Sequence, residues 1–357
     1  MIGAVHRALL AATGADTLPV ALRRLGEYAA LRAWYLLIGC FPIELNLRTA
    51  RLMGRIWWRL MPRHRDRALD NLQPALGDRC SPAQLRRIAR RSFEHFAQLY
   101  LVETGLTPRL INEWSWARYI ELGELGPALC ELLAGRGCIL LTPHFGNYEL
   151  LGYAICRLGI PLTAVMRPLD NELLNDYLIT TRKSGGLALL MKKNVGARAA
   201  AVLDEGGALC FIADQDAGRK GMFVEFFGRP ASTYKSIGLL AITKRVPIIV
   251  GYAVRVRPGF RYRIVAERII RPEEWEGLAP ATDPLRWVTQ TFSYAMEAAI
   301  RRWPEQYLWV HRRWKHQPQA KTAEAPAGSA APGGRHRNGT AVGGVGGATV
   351  DASLNRA

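Results

Sequence analysis

Short apolar runs that alternate with longer helical patterns constrain the fold of this chain more than any other feature. The strand-like runs lie at 138–142, 162–166, 187–190, 208–213 and 247–256. Segments with helical character separate several of them, at 148–158, 173–183 and 235–244. This alternation predicts an α/β fold with a mixed, largely parallel sheet flanked by helices.

The N-terminal part predicts helices at a membrane. Residues 29–43 are its most apolar stretch, but Arg32 interrupts it and Pro42 ends it, so it is too short for a clear membrane span. Residues 48–61 alternate arginines with Leu, Ile, Trp and Met, which is typical of an amphipathic interfacial helix. Packing of that apolar face on the protein core is an equal alternative.

Three regions follow from these patterns. Residues 1–80 form the predicted membrane-associated helical region, and residues 81–316 form the predicted main domain, which starts with a helix at Ser81-Pro82. Residues 317–357 are rich in Ala, Gly, Pro and Ser and have almost no large apolar residue, which predicts a disordered tail.

The charge balance indicates which classes of partner the protein can bind. With 48 Lys and Arg against 30 Asp and Glu, the formal charge is +18, which suits a polyanion or an anionic membrane surface. No nucleic-acid-binding motif is present, so we expect the membrane and no nucleic acid. The six scattered cysteines and the lack of a cleavable signal pattern predict a reduced protein on the cytoplasmic side of a membrane.

The segment most informative about function is residues 137–152, in which an apolar strand ends at Thr142-Pro143, presents His144 and turns into a helix. Open α/β sheets bind ligands at this edge. Asn147 is a candidate N-cap, and Glu149 falls in the first helical turn, from which it could fold back toward His144. A carboxylate that orients an imidazole makes it a general base for a hydroxyl nucleophile. A strand-closing His and a helix-capping Glu are the structural alternative.

This segment resembles a known family. HFGNYE at 144–149 is similar to the HX4(D/E) motif of the glycerolipid acyltransferases, in the HFGNxE form of the lipid A late acyltransferases. The resemblance continues in ADQDAGRKG at 213–221, VEFFGRPAST at 224–233 and PEQYLWVHRRWK at 304–315. It covers residues 25–316, and departs from the family at Tyr148, where Trp is frequent, and in a weak N-terminal anchor.

The resemblance implies a glycerolipid-acyltransferase-like fold and direct transfer of a fatty acyl group, without an acyl-enzyme. His144 would be the general base and Glu149 its partner. The donor would be an acyl carrier protein thioester or acyl-CoA, and the acceptor a hydroxyl of a glycolipid of the lipid A precursor type. No metal or organic cofactor is implied. Asp214 and Asp216 in the DQD block, and Arg182 in the helix at 173–183, would lie near the pocket.

Further residues are candidates for substrate binding. Residues 226–233 predict a loop before a helix capped by Ser232 or Thr233, whose amides would suit a phosphate group. The candidates around this site and the strand ends, each with a structural alternative, are Asn147, Arg167, Arg219, Lys220, Gly228, Arg229 and Thr233. The cluster at 309–315 predicts a basic and aromatic strip on a membrane-facing or acceptor-facing surface, with a core position as an equal alternative for Trp309.

Two rival hypotheses stay open at this stage. The same chemistry could act on another glycolipid, such as a phosphatidylinositol mannoside, or on an aminolipid. A non-catalytic basic protein that binds membranes or nucleic acid would explain the charge, but not the presence of HFGNYE, DQDAGRKG and PEQYLWVHRRW together.

Overall fold

A seven-stranded sheet organises the computed structural model, which describes residues 2–191 and 195–318. The predicted tail beyond Pro318 lies outside the described residues. The strands are β1 (Ile120–Leu122), β2 (Cys138–Thr142), β3 (Leu162–Met166), β4 (Leu187–Met191), β5 (Ala208–Ile212), β6 (Met222–Phe226), β7 (Arg229–Thr233), β8 (Ile248–Arg255) and β9 (Tyr262–Ile270).

Helices precede the sheet and connect its strands. They are α1 (Ile2–Thr13), α2 (Leu18–Gly39), α3 (Ile43–Leu60), α4 (Pro62–Leu76), α5 (Pro82–Gln98), α6 (Thr104–Leu110), α7 (Trp116–Tyr119), α8 (Gly126–Leu133), α9 (Tyr148–Arg157), α10 (Glu172–Ser184), α11 (Val195–Asp204), α12 (Lys235–Lys244), α13 (Pro272–Glu276) and α14 (Pro284–Arg302). A π-helical turn, Leu99–Glu103, follows α5, and a 3₁₀ turn, Pro304–Gln306, follows α14.

The strand order is β1-β9-β8-β2-β5-β3-β4, and β8, β2, β5, β3 and β4 run parallel. Within this sheet, as far as the structure describes it, the β8–β9 pairing alone is antiparallel. The predicted mixed, largely parallel sheet with flanking helices is therefore confirmed. Strand β2 is buried along its whole length, as expected for a central strand covered on both faces.

The predicted elements around the site match closely. The strands at 138–142 and 162–166 and the helix at 235–244 have the predicted bounds, and the other strands and helices predicted there differ by one residue at one or both ends. Two hydrophobic clusters lie on the two faces of the sheet: one includes α11 and α12, and the other includes α9.

The N-terminal helices pack on the rest of the protein. Helices α3 and α5 cross so closely that a side chain at Gly54 would lie 2.6 Å from the Cα of Glu94. Residues 2–318 belong to one compact unit, and the predicted division at residue 80 stays a prediction. Among the helices of the described residues, none combines the length and the apolar character needed to cross a bilayer.

Candidate active site

The turn that carries His144 is tightly constrained. Strand β2 ends at Thr142, and Gly146 has φ +57°, in the left-handed region. A Cβ at Gly146 would lie 2.0 Å from the carbonyl oxygen of Ala253, so this position requires glycine. The turn therefore lies directly against the backbone of β8.

Backbone hydrogen bonds join this turn to the C-terminal segment. The amide of Gly146 donates to the carbonyl of Gln306 (3.0 Å), and the amide of Leu308 donates to the carbonyl of His144 (3.1 Å). Phe145 and Tyr307 form an isolated antiparallel bridge. The sequence block at 304–315 thus contributes to holding the turn at 144–147.

A buried polar network lies beneath the turn. Asn147 caps α9, because its Oδ1 accepts from the amide of Leu150 (2.8 Å), as predicted. Its Nδ2 donates to Glu103 (2.9 Å), which also accepts from the hydroxyl of Tyr262 (2.5 Å) and pairs with Arg255. Asn147 and Glu103 are both 0% exposed. Asn147 is therefore a structural residue of the turn, and its predicted place in substrate binding has no support from this geometry.

A second buried group, His95, contacts the same turn. Its Nε2 lies 3.0 Å from the carbonyl oxygen of Gly146, to which it donates. Burial and the nearby charge of Arg255 lower the pKa of His95 to about 3, against the opposing effect of this hydrogen bond. His95 is therefore neutral in the folded protein near pH 7.

His144 is oriented by a carboxylate. Its Nδ1 lies 2.7 Å from Oδ1 of Asp214, which also accepts from the His144 backbone amide (2.9 Å). Burial alone would raise the pKa of Asp214, but the charge of His144 and these hydrogen bonds outweigh burial, so the pKa lies below its usual value. An ionised Asp214 fixes the tautomer with a proton on Nδ1 and leaves a lone pair on Nε2.

Nε2 of His144 is the ring nitrogen that Asp214 leaves available. His144 lines a cavity, and the side-chain amide nitrogen of Gln215 lies 3.4 Å from the His144 Nε2. The ring of Tyr148 packs edge-on against the imidazole, with centroids 5.3 Å apart. A neutral imidazole with a lone pair toward a cavity can remove a proton from a bound hydroxyl.

Glu149 makes a different contact from the one expected. Its carboxylate is bound by two nitrogens of the Arg182 guanidinium, at 3.1 and 2.5 Å, on α10. Within residues 2–191 and 195–318, the His144 side chain bonds to Asp214 and Gln215, and none of its hydrogen bonds reaches Glu149. The expected folding of Glu149 onto His144 is thus replaced by two adjacent pairs, His144–Asp214 and Arg182–Glu149.

A cavity of about 900 Å³ opens beside His144. Ligand cavities commonly have about 300–1,000 Å³, so this one lies at the large end. Most of its lining is aliphatic, from β3, β5 and helices α9 to α12, and its charged lining residues are Glu149, Arg167, Arg182 and Lys244. An apolar cavity of this size suits hydrocarbon chains.

The predicted substrate-binding residues divide into two groups. Arg167 and Arg182 line the cavity, and Asp214 lies directly behind His144. The others are not among the cavity-lining residues: Asn147, Asp216, Arg219, Lys220, Gly228, Arg229 and Thr233. Asp216 instead pairs with Nδ1 of His316 (2.6 Å), and Arg219 and Lys220 are exposed in the following loop.

The prediction of a helix capped by Ser232 or Thr233 is wrong. These residues end β7, which pairs with β6 in a two-stranded antiparallel sheet, and α12 begins only at Lys235. Phe227 and Gly228 both have positive φ, 54° and 69°, which is the turn geometry that closes a two-residue hairpin. Thr233 is fully buried and accepts from Arg313 (2.6 Å), so it is not available to a phosphate.

The prediction of a basic and aromatic surface strip at 309–315 is wrong for Arg313 and Trp314, which are 1% and 8% exposed. Trp309 is 1% exposed and takes the alternative place in the core, whereas Arg312 and Lys315 are exposed. Arg313 donates to the backbone of Gln215 (3.3 Å), next to Asp214. The cluster therefore packs behind the site and positions the DQD block.

Sequence patterns did not single out Glu103 or His95, or Gln215 beyond its place in the DQD block. His95 lies in the helix predicted to start at Ser81-Pro82 and Glu103 lies just beyond its predicted end, and only the tertiary structure brings them under the turn at 144–147. Gln215 carried a usable signal, because it follows an apolar strand between two aspartates at the ligand-binding edge.

The site has the parts of an acyl-transfer centre: an oriented imidazole at the carboxyl edge of a parallel sheet, open to a large apolar cavity. A sequence model of the bacterial lipid A biosynthesis acyltransferase family matches residues 13–316. The chain belongs to this family, and it is an acyltransferase of lipid A or glycolipid biosynthesis.

Individual relatives agree with this assignment. The lipid A biosynthesis palmitoleoyltransferase of Escherichia coli K12 is 30% identical over 233 residues, which cover 62% of this chain and 70% of that protein. The lauroyltransferase of the same organism is 26% identical over 285 residues, or 78% and 88% of the two chains. A phosphatidylinositol mannoside acyltransferase of Mycobacterium tuberculosis H37Rv is 31% identical over 126 residues, or 34% and 40%.

Proposed function

We propose that this protein transfers a fatty acyl group from an acyl carrier protein thioester to a hydroxyl of a lipid A precursor, with His144 as the general base. The observation that carries this proposal is the orientation of His144, which is bonded to Asp214 through Nδ1 and lines the apolar cavity. The match to the lipid A acyltransferase family supports the substrate class.

The reaction is a single displacement. Nε2 of His144 takes the proton of the acceptor hydroxyl as its oxygen attacks the thioester carbon and forms the ester bond. The carbon–sulfur bond breaks, and the imidazolium returns the proton to the leaving thiolate. Asp214 stabilises the imidazolium in between, which is the part that sequence reasoning gave to Glu149.

Glu149 and Arg182 act from the cavity wall in this proposal. Their bidentate pair is mostly buried, with side chains 13% and 17% exposed, so each holds the other in place. Arg182 lines the same cavity as His144, so in this proposal its guanidinium donates a hydrogen bond to the thioester oxygen as negative charge develops there. Glu149 is thus a positioning residue for Arg182. The proposed site consists of the pairs His144–Asp214 and Arg182–Glu149 instead of a His144–Glu149 dyad.

A membrane surface is part of the proposal. Helices α2 and α3 and their connection expose Leu36, Leu37, Phe41, Leu52, Ile56, Leu60 and Met61, each between 46% and 72%. Arg48, Arg55 and Arg59 are exposed on α3 among them. We infer that this α2–α3 surface lies on an anionic leaflet, at the cytoplasmic face of the inner membrane.

Vesicle flotation tests the membrane surface. We expect the protein to float with anionic vesicles and not with neutral ones, and Leu60→Ser to weaken its binding to the anionic vesicles. Equal flotation with both kinds of vesicle would contradict the inference.

The central test is acyl transfer with purified protein. Radiolabelled acyl groups on acyl carrier protein are offered with lipid A precursors to the unaltered protein, to His144→Ala and to the exposed-site control His6→Ala. We expect transfer to fall about 10²–10⁴-fold in His144→Ala alone. Full transfer by a folded His144→Ala protein would contradict the mechanism. Acyl-CoA is tested in parallel, and use of CoA alone would correct the donor.

The acceptor has a second candidate. The similarity to phosphatidylinositol mannoside acyltransferases favours a test of mannosylated phosphatidylinositol with the same donors. Transfer to this lipid and not to lipid A precursors would retain the chemistry and replace the acceptor.

A further inference from the structure

The cavity beside His144 extends along both faces of the sheet. Ala164 and Val165 are neighbours in β3, and Cys210 and Phe211 are neighbours in β5, so each pair points to opposite faces. All four line the same cavity. Thr142 and Met166, at strand ends, line it as well, so the cavity passes over the carboxyl edge of the sheet and continues down each side.

One branch, which we name the α9 arm, lies between the sheet and helices α9 and α10. Its wall follows β3 from Met166 to Leu162, about 13 Å along the strand. At its far end are Leu162 and Leu187, which are 1% and 8% exposed. The α9 arm therefore ends against buried aliphatic side chains.

The other branch, the α12 arm, lies on the opposite face between the sheet and helices α11 and α12. Its lining runs along α12 from Ser236 to Lys244, about 12 Å. Leu239 on this wall is 53% exposed, and the arm ends at the polar residues Thr243 and Lys244. The α12 arm therefore reaches the surface, in contrast to the α9 arm.

His144 and Gln215 follow the carboxyl ends of β2 and β5, at the edge over which the cavity passes from one face of the sheet to the other. We propose that the cavity holds two hydrocarbon chains at once: the acyl chain of the donor in the α9 arm, and a hydrocarbon chain of the lipid acceptor in the α12 arm. A closed end limits the length of the chain that is transferred, whereas an end open to the surface admits a chain that continues beyond it. This inference rests on the proposed function and specifies how its two substrates bind.

Gly152 sets the depth of the α9 arm in this arrangement. It lines the cavity on α9, and a Cβ there would lie 3.8 Å from Cδ2 of Leu187, an ordinary contact. Alanine therefore fits, whereas leucine would fill the end of the arm. On the other face, Ala200 lines the α12 arm on α11 and is the matched position for the same change.

The first test compares Gly152→Ala, Gly152→Leu and Ala200→Leu in transfer assays with acyl carrier protein thioesters of increasing chain length. Gly152→Leu should shift the preferred donor chain shorter by roughly two to four carbons with the acceptor KM unchanged, and Gly152→Ala should shift it less. Ala200→Leu should raise the acceptor KM and leave the preferred donor length unchanged. The proposal would be overturned if both leucine variants changed the donor chain length, or both changed the acceptor KM. It would also be overturned if Gly152→Leu left the preferred donor length unchanged.

A binding measurement separates this inference from the proposed function. The fluorescent fatty acid cis-parinaric acid is titrated into the unaltered protein and into the two leucine variants. We expect each leucine variant to bind one probe fewer than the unaltered protein. The double variant, Gly152→Leu with Ala200→Leu, should bind two probes fewer. If it loses only as many probes as either single variant, the two-arm arrangement is overturned. Additive loss of sites without transfer to any acceptor would instead contradict the proposed function alone.

Discussion

The turn at 144–147 and the cavity beside it are built in opposite ways. Phe145 and Asn147 are 0% exposed, and the turn is bonded to β8, the π-helical turn and the C-terminal segment. The cavity is lined by aliphatic side chains, several of them half-exposed, such as Leu169 at 45%. The chemical step requires one fixed geometry, which buried hydrogen bonds provide, whereas a hydrocarbon chain requires only apolar volume.

The largest effect should come from the carboxylate that fixes the imidazole. Asp214→Asn keeps the shape of the side chain but loses its charge, so we expect kcat to fall about 10²–10⁴-fold with little change in KM. Asp78→Asn, at an exposed ion pair with Arg79, is the matched control and should retain activity. A near-normal kcat in Asp214→Asn would show that the His144–Asp214 pair in this turn does not contribute to the chemical step.

Next in size is the buried network under the turn. Glu103→Ala leaves the Arg255 guanidinium buried and unpaired, which should lower the free energy of unfolding by about 3–5 kcal/mol. Glu121→Ala breaks an exposed pair with Arg263 and should cost at most about 1 kcal/mol. Urea unfolding measures both. Equal costs would mean that the network does not hold the turn.

The third prediction concerns pH. The pKa of His95 is about 3 when folded, against 6.5 ordinarily, so the unfolded chain binds this proton first as pH falls. The contribution of His95 to the free energy of unfolding is therefore fully present above pH 6.5. It is lost as the pH falls toward 3, by up to about 1.4 kcal/mol per pH unit. His95→Gln should be less stable at pH 7, and its free energy of unfolding should change less between pH 6.5 and pH 3. Parallel stability curves for the two proteins would refute this.

The smallest effect is expected at the cavity wall. Leu178 is half-buried and faces open space, so Leu178→Ala should change the free energy of unfolding by about 1 kcal/mol or less. Phe145→Ala, in the turn, should cost about 3–5 kcal/mol. Thermal and urea unfolding of the pair tests the contrast directly, and a large cost at Leu178 would show that the cavity wall is as tightly packed as the turn.

Local patterns predicted the elements that carry the site. The strand at 138–142, the cap at Asn147 and the helix start at 148 follow from short-range apolar runs and capping chemistry, and each is present. The hairpin at 222–233 was missed although its Phe-Gly turn and alternating residues are local signals. The helix start was instead assigned to Ser232 and Thr233 because these residue types favour N-caps.

By itself, the sequence determined the α/β class, the position of His144 at a strand end and the family of the protein. Only the tertiary structure decided which carboxylate meets the imidazole, because Asp214 lies on a neighbouring strand end and is brought to His144 by parallel pairing of β2 with β5. It also decided that Trp309 and Arg313 face inward and that the cavity has two arms. Local patterns are set by neighbours along the chain, whereas partners and cavities are set by packing between distant segments.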